Sequence, residues 1–121
     1  MLSFLSQRLR SFRPAIRGLG YVCASQHNMW IHLGVATATI ALGLMVQLTS
    51  HEWLAVVIAI ALVMVSETFN TAVECLGDAI TDQMNKQVGL AKDAGAAAVL
   101  LASVAAATIG LIVFLPHLWR T

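Results

Sequence analysis

Three apolar runs, at about 30–48, 53–77 and 93–115, constrain this chain more than any other feature. Each is near the ~20 residues that a helix needs to cross the hydrocarbon of a bilayer. Lipid cannot satisfy open backbone groups, so helices are the expected form of all three. Composition agrees. Of 121 residues, 59% are hydrophobic and 11% charged, against the roughly 25% charged of an ordinary soluble domain. Mean hydropathy is +0.80. A soluble domain of this size could not cover its surface with so few polar groups. The expectation is an all-α membrane protein of one domain over 1–121, with three spans.

The span ends carry markers. Trp30, Trp53 and Trp119 fall where an amphipathic ring sits at the headgroup level, and Pro116 is expected to close the third span. His32, Thr37 and Thr39 interrupt the first. The link between the first two spans is short, about Thr49 to Glu52, which makes those spans antiparallel neighbours. Arg8, Arg10, Arg13 and Arg17 precede the first span, and Lys86 and Lys92 lie between the second and third, leaving only Arg120 opposite. By the positive-inside rule the N-terminus is expected on the cytoplasmic side of the membrane.

Over about 4–26, Phe4, Leu5, Leu9, Phe12 and Ile16 alternate with the arginines. That pattern suits an amphipathic helix on the membrane surface, broken or kinked at Pro14. It does not suit a cleaved signal peptide, because no apolar stretch of secretory length follows the basic residues. Cys23 and Cys75 have no metal-ligand spacing and read as free thiols in a reducing compartment. A net charge of +1 makes no case for nucleic acid. Gly95, Ala98, Ala102, Ala106 and Gly110 recur every three or four residues, so the third span is expected to pack closely against other helices. Three spans make a thin bundle, which favours a homo-oligomer.

The end of the second span is unusual. In SETFNTAVECLGD, the residues Glu67, Asn70, Glu74 and Asp78 fall on one side of a helix advancing ~100° per residue, over a rise of roughly 16 Å. Glu67 lies about 21 Å beyond Trp53 at ~1.5 Å per residue, hence inside a ~30 Å core. A carboxylate at such depth costs on the order of 2–3 kcal/mol on insertion scales. Its presence there argues for function, with interhelix packing as the plainer alternative. Carboxylates near the interface can hold Mg²⁺, which prefers oxygen. A carboxylate shielded from water suits a general base, with Asn70 positioning it or the substrate. Lys92 and Asp93, at the start of the third span, face the same interface, where the lysine suits a polyphosphate and the pair equally suits a plain helix-boundary marker. A base, a metal site, a cation and positioning groups are the parts of phosphoryl transfer. The acceptor must then be a lipid, because the base lies at headgroup depth.

These residues resemble the small prokaryotic diacylglycerol kinase family, which includes undecaprenol kinases. ETFNTAVE matches a family pattern of the form E-x-x-N-[ST]-A-[IV]-E, Asp78 follows at the family's spacing, and AKDAGAAAVLL matches its A-K-D segment. SFRPAIRGLGYV and NMWIHL resemble the arm and first-span entry of the undecaprenol-kinase branch. The resemblance covers nearly the whole chain. It implies a homotrimer of three-span subunits with an N-terminal surface helix, transferring the γ-phosphate of ATP to a lipid hydroxyl with Mg²⁺. It further implies that Glu67 is the general base and that Asn70 positions the acceptor. Glu74 is then a magnesium ligand, while Glu74, Asp78, Lys92 and Asp93 serve the nucleotide. Gln83, Met84 and Asn85 match a nucleotide-contacting loop in length. In the family a glutamate usually precedes the first span and shares the metal; SQHNMWIH has Gln26 there, an oxygen ligand without charge.

The expected function is therefore ATP- and Mg²⁺-dependent phosphorylation of undecaprenol or diacylglycerol at the cytoplasmic interface. Two other readings remain at this level. One is an ion- or proton-translocating subunit, which needs a carboxylate within the membrane but has no use for Asn70, Lys92 and Asp93. The other is a catalytically impaired scaffold member of the kinase family, suggested by Gln26.

Overall fold

A computed structural model describes residues 1–120. Its helices are α1 (Leu2–Ser25), α2 (His27–Met45), α3 (Ser50–Ile80) and α4 (Lys86–Leu118). No strand occurs among the described residues. α2, α3 and α4 are long and apolar enough to cross a membrane. The 19 residues of α2 correspond to roughly 28 Å, close to one hydrocarbon thickness. α3 has 31 residues and α4 has 33, or roughly 46 and 50 Å. Both therefore exceed what the bilayer covers, and the excess carries their polar ends.

Local chemistry sets the helix ends. The α2–α3 turn lies over 46–49, earlier than the expected Thr49–Glu52. Thr49 caps α3 instead: its hydroxyl accepts from the Glu52 N–H at 3.3 Å, and Glu52 Oε2 accepts from the Thr49 N–H at 2.8 Å. This reciprocal pair satisfies two donors that have no partner inside the helix. Gln47 takes a left-handed φ of 56°, and the Leu48 N–H returns to the Gly43 carbonyl at 3.1 Å, the pattern that commonly ends helices. At α4 the Asn85 side chain accepts from the Val88 N–H at 3.1 Å. Neither proline interrupts its helix. α1 is continuous through Pro14, and α4 runs past Pro116 to Leu118. Each proline removes one backbone donor, and the neighbouring turns carry the helix across.

α3 and α4 form an antiparallel hairpin that holds most of the tertiary contact, with α2 and α1 laid more lightly against it. The core is small and sits at the turn end, where Leu48, Val56 and Val113 gather with Trp53, Ile109 and Phe114. Gly43 permits this closeness: a Cβ there would lie 2.8 Å from the Trp53 ring and 2.9 Å from Leu48. Of the small residues in α4, Gly95 meets α3, Ala102 is buried, and Ala106 and Gly110 line a groove, while Ala98 points outward. Leu100, Leu101, Val104, Leu111 and Ile112 are exposed. That much apolar surface requires lipid or another protein surface to cover it. On α1 only Val22 is buried, and the Arg8 guanidinium lies 4.9 Å over the Phe4 ring.

Candidate active site

The site lies at the loop end of the hairpin, where α3 meets the start of α4. Lys92 reaches across from α4. Its Nζ donates to Asp78 Oδ1 and stands 3.3 Å from Glu74 Oε2. Gly77 makes room for this crossing, since a Cβ there would fall 2.8 Å from Lys92 Cε and 3.1 Å from Val88. Outward of the lysine is a concavity of about 750 Å³, lined by Asp78, Gln83, Asn85, Lys92 and Asp93 among others. That is within the range of small-molecule sites, roughly 300–1,000 Å³. Asp93 and Gln83 are exposed, and the Met84 side chain stands free in solvent. The Gln83 backbone N–H is held by Thr81 Oγ1 at 3.1 Å. Asn85 is engaged in capping α4, so its carbonyl oxygen is already committed.

Deeper along α3 the surroundings change. Asn70 is pressed against α4 at Gly95, where a Cβ would lie 2.5 Å from Asn70 Oδ1. That oxygen is buried and has no hydrogen-bond partner. One turn deeper, Glu67 is 1% exposed. Its Oε2 is likewise buried without a hydrogen bond, and His32 Nε2 on α2 stands 3.8 Å away. Buried polar atoms are hydrogen-bonded in the great majority of cases, so each exception asks for a reason. Two such atoms lie on successive turns of one helix, beneath a lysine and two carboxylates. Neighbouring Thr71 is buried too, but its hydroxyl is satisfied by the Glu67 carbonyl at 2.9 Å.

The stripe thus has two environments. Glu74 and Asp78 share Lys92, Asn70 abuts Gly95, and Glu67 turns to α2 and His32. The sequence pattern marked His32 only as an interruption of the first span, and it named Gly95 only within the small-residue stripe and Gly77 not at all, although α4 closes on α3 at both. Gln26 sits at the break between α1 and α2, half-buried, with its backbone N–H bonded to the Val22 carbonyl at 3.0 Å. Among the described residues no three His, Cys, Asp or Glu side chains converge as a metal cluster. The donors at the mouth nevertheless fit Mg²⁺, which commonly takes one or two carboxylates and draws its other ligands from water and substrate phosphates.

Comparison with known proteins decides the class. The prokaryotic diacylglycerol kinase family matches residues 13–114. The chain belongs to this family. It is a lipid kinase, a phosphotransferase with an alcohol acceptor, as the resemblance implied. An undecaprenol kinase of Bacillus subtilis (strain 168) is 35% identical over 114 residues, covering 94% of this chain and 93% of that protein. A diacylglycerol kinase of Synechocystis sp. (strain ATCC 27184 / PCC 6803 / Kazusa) is 36% identical over 111 residues, covering 91% of this chain and 63% of that protein. The chain thus spans almost all of the first relative and less than two thirds of the second. Membership in a kinase family sets aside the ion-translocating reading.

Proposed function

We propose that this protein uses MgATP to phosphorylate a long-chain lipid alcohol, undecaprenol or diacylglycerol, at the cytoplasmic face of the bacterial inner membrane. The observation that carries the reading is the pair of unpartnered buried oxygens, on Glu67 and Asn70, set beneath Lys92. The acceptor hydroxyl donates to Glu67, and Asn70 fixes its approach. As Glu67 takes the proton, the hydroxyl oxygen attacks the γ-phosphorus. The bond from that phosphorus to the β–γ bridging oxygen breaks, and ADP leaves.

Lys92, now held by Glu74 and Asp78, exchanges part of that contact for phosphate oxygens and balances their charge. Asp93 and the 83–85 loop line the nucleotide's side of the site. Glu74 is the metal ligand, with Gln26 contributing an amide oxygen. When bound, Mg²⁺ draws charge from the phosphates, the largest electrostatic demand of phosphoryl transfer.

The arginines of α1 and the lysines of the α3–α4 region support a cytoplasmic position for these elements. α1 lies on that surface with Phe4, Leu5, Leu9, Phe12 and Ile16 toward lipid. The exposed apolar faces of the spans are covered in part by two further copies in a homotrimer.

The test is an assay of purified protein in detergent with radiolabelled ATP, Mg²⁺ and a panel of lipid alcohols. Label is expected in undecaprenol or diacylglycerol only when metal is present. Transfer to no lipid alcohol, with nucleotide binding intact, would identify the catalytically impaired scaffold instead.

A further inference from the structure

His32 is the unexplained polar residue of the first span. It belongs neither to the mouth nor to the core. Its ring is about one-fifth exposed, and its Nε2 is 3.8 Å from the Glu67 oxygen that lacks a hydrogen bond. It also lines an apolar groove of about 460 Å³ that runs between α2, α3 and α4 past Val35, Val63, Ser103 and Ala106. His32 therefore stands between the buried carboxylate and this groove. We propose that His32 is a positioning residue for Glu67: it orients the carboxylate toward the acceptor and accepts its proton after transfer. The inference rests on Glu67 being the base.

The proton balance is simple. The acceptor hydroxyl gives its proton to Glu67 Oε2 as the new oxygen–phosphorus bond forms. Glu67 then passes it to the His32 imidazole, whose partly exposed ring carries it as an imidazolium until it returns to solvent. The present gap is longer than a hydrogen bond. Catalytic hydrogen bonds are often long before substrate binds, and a modest swing of the imidazole closes this one. Among the described residues the acid paired with His32 is Glu67. On α3, Glu67 is the acid facing His32, and Glu74 and Asp78 are engaged with Lys92 two to three turns away. On α4 the charged groups Lys86, Lys92 and Asp93 all lie at the loop end, while Ser103 and Ala106 face the groove. On α1, Tyr21 accepts from Cys75 Sγ at 3.4 Å.

The experiment compares His32→Gln, which keeps a donor but cannot take a proton, with His32→Leu, which keeps only bulk. Kinase activity is measured against pH and ATP concentration, with ATP binding measured separately. Proton-transfer groups contribute about 10²–10⁴-fold. A residue acting through the base should give less: roughly 10-fold lower kcat for His32→Gln and about 100-fold for His32→Leu, with KM for ATP unchanged and the pH profile altered in both. In labelled protein, the imidazole nitrogen chemical shifts of His32 should change once Glu67 is replaced by Gln. Adding His32→Gln to Glu67→Gln should cost nothing more. If Glu67→Gln is inactive while both His32 variants keep the native kcat and pH profile, the role of His32 is overturned and Glu67 stands as the base. If Glu67→Gln stays active, the base assignment itself fails, and this inference with it.

Discussion

The two ends of the α3–α4 hairpin are built from the same kinds of residue and finished differently. Each end has an acid on α3 facing a basic side chain on α4. At the turn end, Glu52 Oε1 lies 3.0 Å from His117 Nε2 while Oε2 accepts the Thr49 N–H. Both carboxylate oxygens are thus engaged, directly beside the Leu48–Val56–Val113 core. At the loop end, Glu74 and Asp78 share one lysine, and the next polar groups inward, on Asn70 and Glu67, keep buried oxygens without partners. One end resembles a fastening. The other keeps buried polar atoms without hydrogen-bond partners. A satisfied network stabilises, whereas leaving a buried polar atom unmade costs about 1–3 kcal/mol. On the proposed function, the loop end is where this protein spends stability on its reaction.

Substitutions at the two ends should separate these roles. The largest effect is expected from Glu67→Gln, which keeps shape and removes the proposed base. Turnover should fall by about 10²–10⁴-fold while binding of a nucleotide analogue survives; near-native turnover would return Glu67 to a packing role. Next is Gly95→Ala. Its Cβ would come within 2.5 Å of Asn70 Oδ1, so the amide must move. Activity should drop by roughly 10-fold, with a much smaller change in thermal stability, because misplacing a positioning group costs rate first. A loss of folding with no change in the specific activity of the folded fraction would show that this contact is structural.

At the turn end the signs reverse. Thr49→Ala removes a helix cap worth about 1 kcal/mol. It should lower the unfolding midpoint in detergent and leave kcat unaltered at temperatures where the protein is folded. A kcat loss there would erase the distinction between the ends. The smallest effect is expected from Gln26→Glu. A second charge near the metal should lower the Mg²⁺ concentration needed for half-maximal activity several-fold, with kcat little changed. No shift would mean that another oxygen already serves.

Much of the architecture was legible because it depends on short-range chemistry. Hydrocarbon thickness and run length gave three spans, and 100° per residue put Glu67, Asn70, Glu74 and Asp78 on one side of α3. Helix ends were less legible. The 46–49 turn was displaced because Thr49 and Glu52 serve as a cap, and that T-x-x-E signal stands in the sequence. The continuity of α1 through Pro14 had no such signal, because turns on both sides carry the helix past one missing donor.

Which partner each stripe residue meets was a separate question. Lys92 finds Asp78 across 14 positions of sequence, and His117 finds Glu52 across 65. The amino-acid order by itself determined that acids would face one way from the middle span and that a lysine–aspartate pair would open the next. Tertiary structure alone decided that Glu67 turns to His32, that Asn70 rests on Gly95, and that Glu52 is fastened to His117. The reason is that helical periodicity is fixed residue by residue. The register of one helix on another is set by where small side chains such as Gly77 and Gly95 let two backbones close.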